Sequence, residues 1–314
     1  MRSRKPTDGQ FDLFVPILLD FPLKDQRETM ERPFFSLQKR KRLKPIDYTS
    51  PDGTIFVKVE AVPAYGIATI WDADILIWAS SAIQRMKAQR INELPRVLKV
   101  TAFDLLKSMQ RDTGGKAYKE LHAALDRLQT TTIWTSIRAE NKGKGTRFSW
   151  IDAWSFDYDA GGRPTNINIT LSDWIYEGIV NEKSVLTIHP DYFQLQGGLE
   201  RAVYRIARKH AGDQETGWTC RLSLLQDKTG SDSSPKEFAR MMKRIADSQS
   251  LPEYQVTLTS TAENAPAAHF VRRSALARAI ARAEVAAEEE QRLQLEAQKR
   301  SDPFAHRRVV YADD

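Results

Sequence analysis

The sequence has little of what disulfide-bonded, zinc-binding or membrane-spanning proteins require. Its 314 residues include a single cysteine, Cys220, which excludes an intramolecular disulfide and any cysteine-built zinc site. No apolar run approaches the ~18 residues of a membrane-spanning helix. Charges and prolines also interrupt the N-terminus, where a signal peptide needs an unbroken apolar segment. We therefore expect a cytoplasmic protein with no membrane partner.

The signatures of DNA-acting enzymes and of nucleotide-binding loops are also missing. The five histidines include no His-x-His pair of the kind that holds the metal of rolling-circle nickases. No glycine-rich loop of the Walker type occurs. Two carboxylate pairs, Asp72 with Asp74 and Asp157 with Asp159, adjoin a predicted helix start and a predicted turn, where aspartate is common for structural reasons. We therefore expect no enzymatic activity, no cofactor and no bound metal.

Positive charge, by contrast, is concentrated in three short stretches of a chain whose formal net charge is +6. These stretches hold, in order, Lys39, Arg40, Lys41, Arg42 and Lys44; then Arg138, Lys142, Lys144 and Arg147; then Lys236, Arg240, Lys243 and Arg244. Clusters of positive charge on a mildly acidic remainder are expected of a protein that binds a polyanion.

One helix–turn–helix pattern occurs twice. A short helix over 102–109 is followed by a turn and by a helix over 116–129, whose apolar face holds Tyr118, Leu121, Leu125 and Leu128. Downstream, helices over 222–228 and 235–246 repeat the arrangement, with Phe238, Met241, Met242 and Ile245 on the apolar face. Two helices joined by a tight polar turn are typical of helix–turn–helix DNA-binding proteins.

A β-hairpin with a basic tip is predicted directly after the first pair of helices, from strands over 130–137 and 147–158. The order helix, helix, helix, hairpin indicates a winged helix. The predicted fold class is α+β, with two tandem winged-helix domains and a C-terminal solvated helix. The predicted divisions are an extended N-terminal arm over 1–50 with its basic stretch, winged-helix domains over 51–165 and 166–260, and an Ala/Glu/Arg-rich helical tail over 261–314.

A helix over 199–210 should open the second domain. Its apolar residues, such as Val203 and Ile206, are expected to face inward, while Arg201, Arg205, Arg208 and Lys209 are expected to face outward. The seven tryptophans stand at strand or helix spacing among apolar residues, which favours core packing over stacking on single-stranded bases.

The candidate DNA contacts are the three basic stretches and the second helix of each pair. In the helix over 235–246, Lys236, Arg240 and Lys243 follow helical spacing opposite the apolar face, and Arg244 flanks them. Lys116 and Lys119 on the earlier helix suit weaker, backbone-positioning contacts. Each group also has a structural interpretation: a solvated helix face, a charged surface turn around Lys142 and Lys144, or a solubilising linker over 39–44.

Several motifs resemble the plasmid replication initiator protein A family. They are MERPFFSL at 30–37, KRKR at 39–42 with PIDY at 45–48, ATIWDAD at 68–74, ALDRLQ at 124–129 with Thr131 and Thr132, GGLER at 197–201 and RKH at 208–210. The resemblance extends from about Phe11 to Leu258 and does not include the Ala/Glu/Arg-rich tail.

The resemblance implies a plasmid replication initiator that binds repeated sites at an origin, promotes local duplex opening and recruits host replication proteins. Its partners would then be double-stranded DNA with direct repeats, a host replication initiator or helicase, and in some states a second copy of the chain as a homodimer. The alternative is a winged-helix transcriptional repressor without replication activity, because both functions need the same DNA-docking units.

Overall fold

A computed structural model of the protein describes residues 21–139, 145–161 and 164–301. The segment before residue 50 is packed into the fold from Phe21 onward, so the prediction of a loosely ordered arm over 1–50 is wrong for its described part. Phe35 stacks on Trp150 with ring centroids 4.4 Å apart, and Phe34 meets the same indole edge-on at 5.7 Å. Both phenylalanines are buried because these contacts close the core of the first half of the chain.

Within its described residues, the first half alternates short strands with four helices. Its elements are β1 (Leu23–Gln26), α1 (Arg27–Met30), β2 (Ile46–Thr49), β3 (Phe56–Ala61), α2 (Ala73–Ala88), β4 (Val97–Val100), α3 (Ala102–Ser108), α4 (Gly115–Thr130), β5 (Thr131–Thr135), β6 (Thr146–Ser149), β7 (Ile151–Tyr158) and β8 (Pro164–Leu171). They form two antiparallel sheets with strand orders β2-β3-β5-β6 and β4-β8-β7.

The second half begins with connecting elements and ends in a long helix. Its elements are α5 (Asp173–Val180), β9 (Val185–Ile188), α6 (Gly198–His210), β10 (Trp218–Arg221), α7 (Leu222–Thr229), α8 (Pro235–Ser248), β11 (Tyr254–Ser260), β12 (Pro266–Arg272) and α9 (Arg273–Ser301), with 3-10 turns on either side of β9. A three-stranded antiparallel sheet has the order β10-β12-β11. Strand β9 pairs with β1, so the segment over 23–26 is joined to the segment over 185–188.

The same order of elements occurs in both halves. Helix, strand, helix, helix and hairpin occur in this order as α2, β4, α3, α4, β7–β8, with β5 and β6 inserted before the hairpin, and again without an insertion as α6, β10, α7, α8, β11–β12. In each copy the strand between the first two helices pairs with the last strand of the hairpin. Strand β8 thereby belongs to the first copy, although residues 166–171 were assigned by sequence to the second domain.

The β5–β6 hairpin, predicted to follow the first pair of helices as a wing, belongs to a different sheet. Its strands pair with each other and β5 pairs with β3, whereas β4 pairs only with β8 among the described strands. The hairpin that stands beside β4 is instead β7–β8, which the sequence pattern did not identify as a hairpin of this unit.

Each half has its own apolar core. The first is built around fully buried side chains such as Trp78 and Trp150, and the second around Tyr204, Phe238 and Phe270. Core packing is therefore confirmed for Trp78, Trp150 and Trp174, while other tryptophans are only partly buried.

The C-terminal helix is mostly solvated, as predicted. Beyond its first turns α9 is exposed wherever side-chain burial is described, and Ile280 and Val285 stand in solvent. An ion pair of 2.9 Å between Arg278 and Asp213 ties its first turns to the second half. The tail starts at residue 273 rather than 261, because β12 occupies 266–272.

Candidate nucleic-acid interface

Helix α8 presents the basic face that the sequence predicts. It begins where Ser234 accepts a hydrogen bond from the Glu237 backbone N–H at 3.3 Å and where Pro235 stands at the first helical position, which needs no donor. Phe238, Met242 and Ile245 are buried against the second core. The four candidate cations, Lys236, Arg240, Lys243 and Arg244, are all exposed.

Two of these cations are held by acidic neighbours on the same helix. Arg240 donates two hydrogen bonds to Glu237, at 2.7 and 2.8 Å, and Lys243 lies 2.9 Å from a carboxylate oxygen of Asp247. Exposed pairs of this kind contribute little free energy, so exchanging the carboxylate for another anion costs little. Lys236 and Arg244 have no carboxylate partner within the described residues, and the face therefore retains an excess of positive charge.

A groove separates α8 from the β11–β12 hairpin. It encloses about 560 Å³, and Lys236, Arg240 and Lys243 line its helical side. Leu258 of β11 and Ala267 of β12 line the other side. An exposed cationic helix beside a hairpin is an arrangement that fits the backbone and groove of a duplex.

The basic stretch over 39–44 lies beside this helix pair, but it is not a free arm. Arg42 is only 9% exposed and donates to the carbonyl of Gly230 at 3.0 Å, in the turn between α7 and α8. Gln38 reinforces the contact by donating to Asp232 at 2.9 Å. Burial lowers the pKa of the Arg42 guanidinium. The prediction that Arg42 contacts DNA from an extended arm is therefore wrong, and Arg42 supports the turn instead.

The other cations of this stretch point to solvent. Lys39, Arg40, Lys41 and Lys44 are exposed, with Lys39 above the Trp71 ring at 5.1 Å and Lys41 donating to the Ala64 carbonyl at 2.5 Å. Because Arg42 fixes the stretch to the α7–α8 turn, the stretch lies next to the turn that leads into α8.

The second helix of the first copy, α4, carries less net charge. Lys116 is 88% exposed and lies 3.7 Å from Glu120, and Lys119 is exposed. Arg127 turns inward, where its guanidinium donates to both oxygens of Asp72 at 2.7 Å. The exposed face of α4 is thus nearly neutral, which suits positioning contacts better than strong electrostatic binding.

The candidate cations of the predicted hairpin tip have different surroundings in the structure. Arg138 lies 3.7 Å above the Trp174 ring and pairs with Glu28 at 3.2 Å, so it holds the fold together. Arg147 is exposed on β6, 4.7 Å from the Trp134 ring. Lys142 and Lys144 lie outside the described residues.

Helix α6 differs most from its prediction. Arg201 and Arg205, expected to face solvent, are each only 3% exposed. Arg201 lies 2.6 Å from Asp74, and Arg205 lies 2.6 Å from Asp25. Arg201 and Arg205 share one helix face because they are four residues apart, but the sequence held no local signal for their burial, since their aspartate partners stand far upstream.

The carboxylates considered for catalysis have structural partners. Asp72 and Asp74 bind arginines, as described above, and Asp157 accepts a hydrogen bond from Asn168 at 2.7 Å and pairs with Lys99 at 3.2 Å. The Asn168 and Lys99 hydrogen bonds lower the pKa of Asp157. Within the part of the chain that the structure describes, no three His, Cys, Asp or Glu side chains are placed to hold a metal, and no helix could cross a membrane.

The family of the chain follows from comparison with known proteins. The model of the family described as replication initiator protein A matches residues 24–256. The chain belongs to the replication initiator protein A family. The resemblance inferred from its motifs is thereby confirmed.

Relatives of this initiator agree with the assignment. It is 34% identical over 232 residues to a protein of Wigglesworthia glossinidia brevipalpis named "Putative replication protein", covering 73% of this chain and 82% of the relative. A crystal structure of domains 2 and 3 of RctB matches with a TM-score of 0.56 at 15% identity, covering 76% of this chain and 95% of that one. Another structure of the same RctB domains matches with a TM-score of 0.50 at 14% identity, covering 79% and 96%. At such low identity the likeness to RctB concerns the fold alone.

Proposed function

We propose that this family member initiates replication by binding repeated sites in double-stranded DNA with two winged-helix units, without enzymatic activity of its own. The first unit comprises α2 to β8 and the second comprises α6 to β12. Their hairpins β7–β8 and β11–β12 would be the wings. The repeated order of elements and the matched strand order of the two sheets support this interpretation.

The observation that carries the proposal is the basic surface built from α8 and the neighbouring stretch over 39–44. A helix whose apolar face is buried and whose other face presents four exposed cations is suited to the major groove. Arginine and lysine can pair with guanine O6 and N7 or hold phosphates. The exposed Glu237 and Asp247 partners can be exchanged for these acceptors because they contribute little in water.

The two units have different roles in this proposal. The second unit reads the site through α8, with Lys39, Arg40, Lys41 and Lys44 neutralising phosphates beside it. The first unit, with its nearly neutral α4, positions the protein along the duplex. The tip of the β11–β12 wing is not basic: it holds Glu263, which pairs with Arg221 at 2.9 Å. Phosphate neutralisation therefore falls to α8 and the 39–44 stretch.

Occupancy of several direct repeats would then strain an adjacent A·T-rich segment until it opens. Protein contacts would recruit a host replication initiator or helicase, and a homodimeric state would regulate occupancy. Family membership supports these steps, and they need no chemistry from the chain beyond docking.

The experiment that tests the proposal is a footprint of the purified protein on the DNA flanking its own gene. Protection of regularly spaced direct repeats, with distortion beside them, is the expected result. Protection of one palindrome at the promoter would support a transcriptional repressor instead of an initiator. No protection at all would contradict the proposal that the protein binds specific DNA sites.

A further inference from the structure

Two buried ion pairs join the first half of the chain to the second. Arg201 of α6 donates to Asp74 of α2 at 2.6 Å, and Arg205 of α6 donates to Asp25 of β1 at 2.6 and 3.1 Å. All four residues are at most 3% exposed. Charges removed from water this completely must be paired, so the halves cannot separate here without exposing them or leaving them unpaired.

Additional hydrogen bonds fix the orientation of both guanidinium groups. Arg201 also donates to the carbonyls of Leu195 and Phe193, at 2.7 and 2.9 Å. Arg205 donates to the Thr29 hydroxyl at 2.9 Å. Planar guanidinium groups with several partners tolerate little rotation or sliding, in contrast to an apolar contact of the same area.

These pairs connect the two helices that the proposed function assigns to DNA. Helix α2 is tied to α4 by the Asp72–Arg127 pair. Helix α6 shares a core with α8, in which Val203 and Ile206 belong to the same buried cluster as Phe238. A continuous set of contacts therefore runs from α4 to α8, formed by ion pairs as far as α6 and by apolar packing from α6 to α8.

We propose that the residues of the Asp74–Arg201 and Asp25–Arg205 pairs are positioning residues. They hold α4 and α8 at one fixed distance and at one fixed rotation relative to each other about the duplex axis. The protein then selects DNA by the spacing of two contacted segments as well as by their sequence. This inference rests on the proposed function, because it assumes that both helices dock on one duplex. A duplex repeats every 10–10.5 base pairs, so insertion of about half a turn turns one segment away from its helix.

The first test compares the footprinted site with the same site carrying five extra base pairs between its two protected segments. For the wild-type chain we expect the insertion to weaken binding by about 10²-fold or more, because one of two linked contacts is lost. For Arg201→Gln we expect the same insertion to weaken binding by less than about tenfold, because the two units are no longer held at one distance and each can reach its own segment. Asp25→Asn interrupts the second pair and should behave in the same way.

Arg111→Gln is the matched control. Arg111 donates to the same Asp74 carboxylate at 2.9 Å but belongs to the first half, so its loss removes an arginine from this carboxylate without cutting the link between halves. It should keep the wild-type dependence on spacing. If Arg201→Gln and Arg111→Gln respond alike, the linking role is wrong.

A second measurement needs no DNA. Spin labels on cysteines introduced at the exposed positions Glu60 and Thr257 report the distance between the halves. Cys220 need not be removed, because it is buried and burial raises the pKa of its thiol to about 11, which makes it unreactive. We expect one narrow distance distribution for the wild type and for Arg111→Gln, and a broad one for Arg201→Gln. An equally narrow distribution for Arg201→Gln would overturn the proposal. If the wild-type chain binds no DNA, the proposed function is wrong. The spin-label distance would still test whether the ion pairs hold the two halves together.

Discussion

The Arg127 guanidinium donates a hydrogen bond of 2.7 Å to each oxygen of the Asp72 carboxylate. Asp72 stands directly before α2 and also accepts a hydrogen bond from the Thr69 backbone N–H at 2.7 Å. Arg127 lies in the last turn of α4. This pair fixes the end of one helix to the start of another, so the orientation of α4 depends on it.

Replacing Arg127 by methionine should therefore destabilise the protein by about 3 kcal/mol, because Asp72 is left buried without its cation. The free energy of unfolding from urea titration measures the effect. Lys116→Ala, which removes the exposed pair with Glu120 on the same helix, should change it by at most ~0.5 kcal/mol. Equal effects of the two substitutions would contradict the structural role of Arg127.

The double substitution Arg240→Ala with Lys243→Ala should lower the affinity for the specific site to that for unrelated DNA. The melting temperature should stay unchanged, because both side chains are exposed. The slope of log K against log salt concentration should fall by about 2 in magnitude if both cations hold phosphates. Binding titrations at several salt concentrations measure both quantities.

Arg278→Ala with Arg282→Ala removes the same charge from α9 and is the control for that experiment. Its affinity for the specific site should stay near that of the wild type. Retained specific binding by the α8 variant would exclude this helix as the reader.

Gly230→Ala should destabilise the turn that the 39–44 stretch supports. Gly230 has φ +67°, and an added Cβ would lie 2.6 Å from Cβ of Pro33. Gly53 has nearly the same φ of +68° with nothing within 4 Å, so Gly53→Ala should show the conformational cost alone, about 1–2 kcal/mol. We expect Gly230→Ala to cost at least ~1 kcal/mol more through overpacking, measured by chemical denaturation. Equal costs at both positions would mean that the Pro33 contact relaxes freely.

Stability should depend on pH through Glu31. Burial alone would raise the pKa of this carboxyl, but hydrogen bonds from His210, at 2.8 Å, and from Lys209 outweigh burial and hold the pKa below its usual range. A group with a lowered folded-state pKa stabilises the fold while it is ionised, so this contribution is present above about pH 4.3 and is lost as pH falls further.

The substitution Glu31→Gln isolates the contribution of the Glu31 charge to stability. The variant should be less stable than the wild type at pH 7, and the difference should shrink as the pH falls below about 4. Denaturant midpoints between pH 3 and pH 7 give the comparison. A difference that stays constant over this range would show that Glu31 acts through packing rather than through charge.

Local patterns predicted the helices of the candidate site well and the strands poorly. The Ser234-Pro235 start and the apolar spacing of α8 are local signals, and the helix lies where they indicate. Strands β4 and β10 have four residues each, and their pairing with β8 and β12 depends on segments far along the chain. Such short strands carry too little alternation to be recognised.

The direction of the charged side chains could not be predicted where tertiary partners decide it. Arginine usually faces water, so Arg201 and Arg205 were expected outside. Their aspartate partners lie more than a hundred residues earlier in the chain, and no local spacing reveals them. Arg42 was misplaced for the same reason, since its partner at Gly230 belongs to the other half.

The pairing of β1 with β9 has a consequence for synthesis. Leu23 lies opposite Ile188, so β1 leaves the ribosome some 160 residues before its partner strand is made. The same N-terminal segment supplies Asp25 to Arg205 of α6. Contacts between such distant segments form slowly because the intervening chain must be closed into a loop. The nascent protein thus emerges with β1 still unpaired, and the join between its halves can close only after α6 has been synthesised.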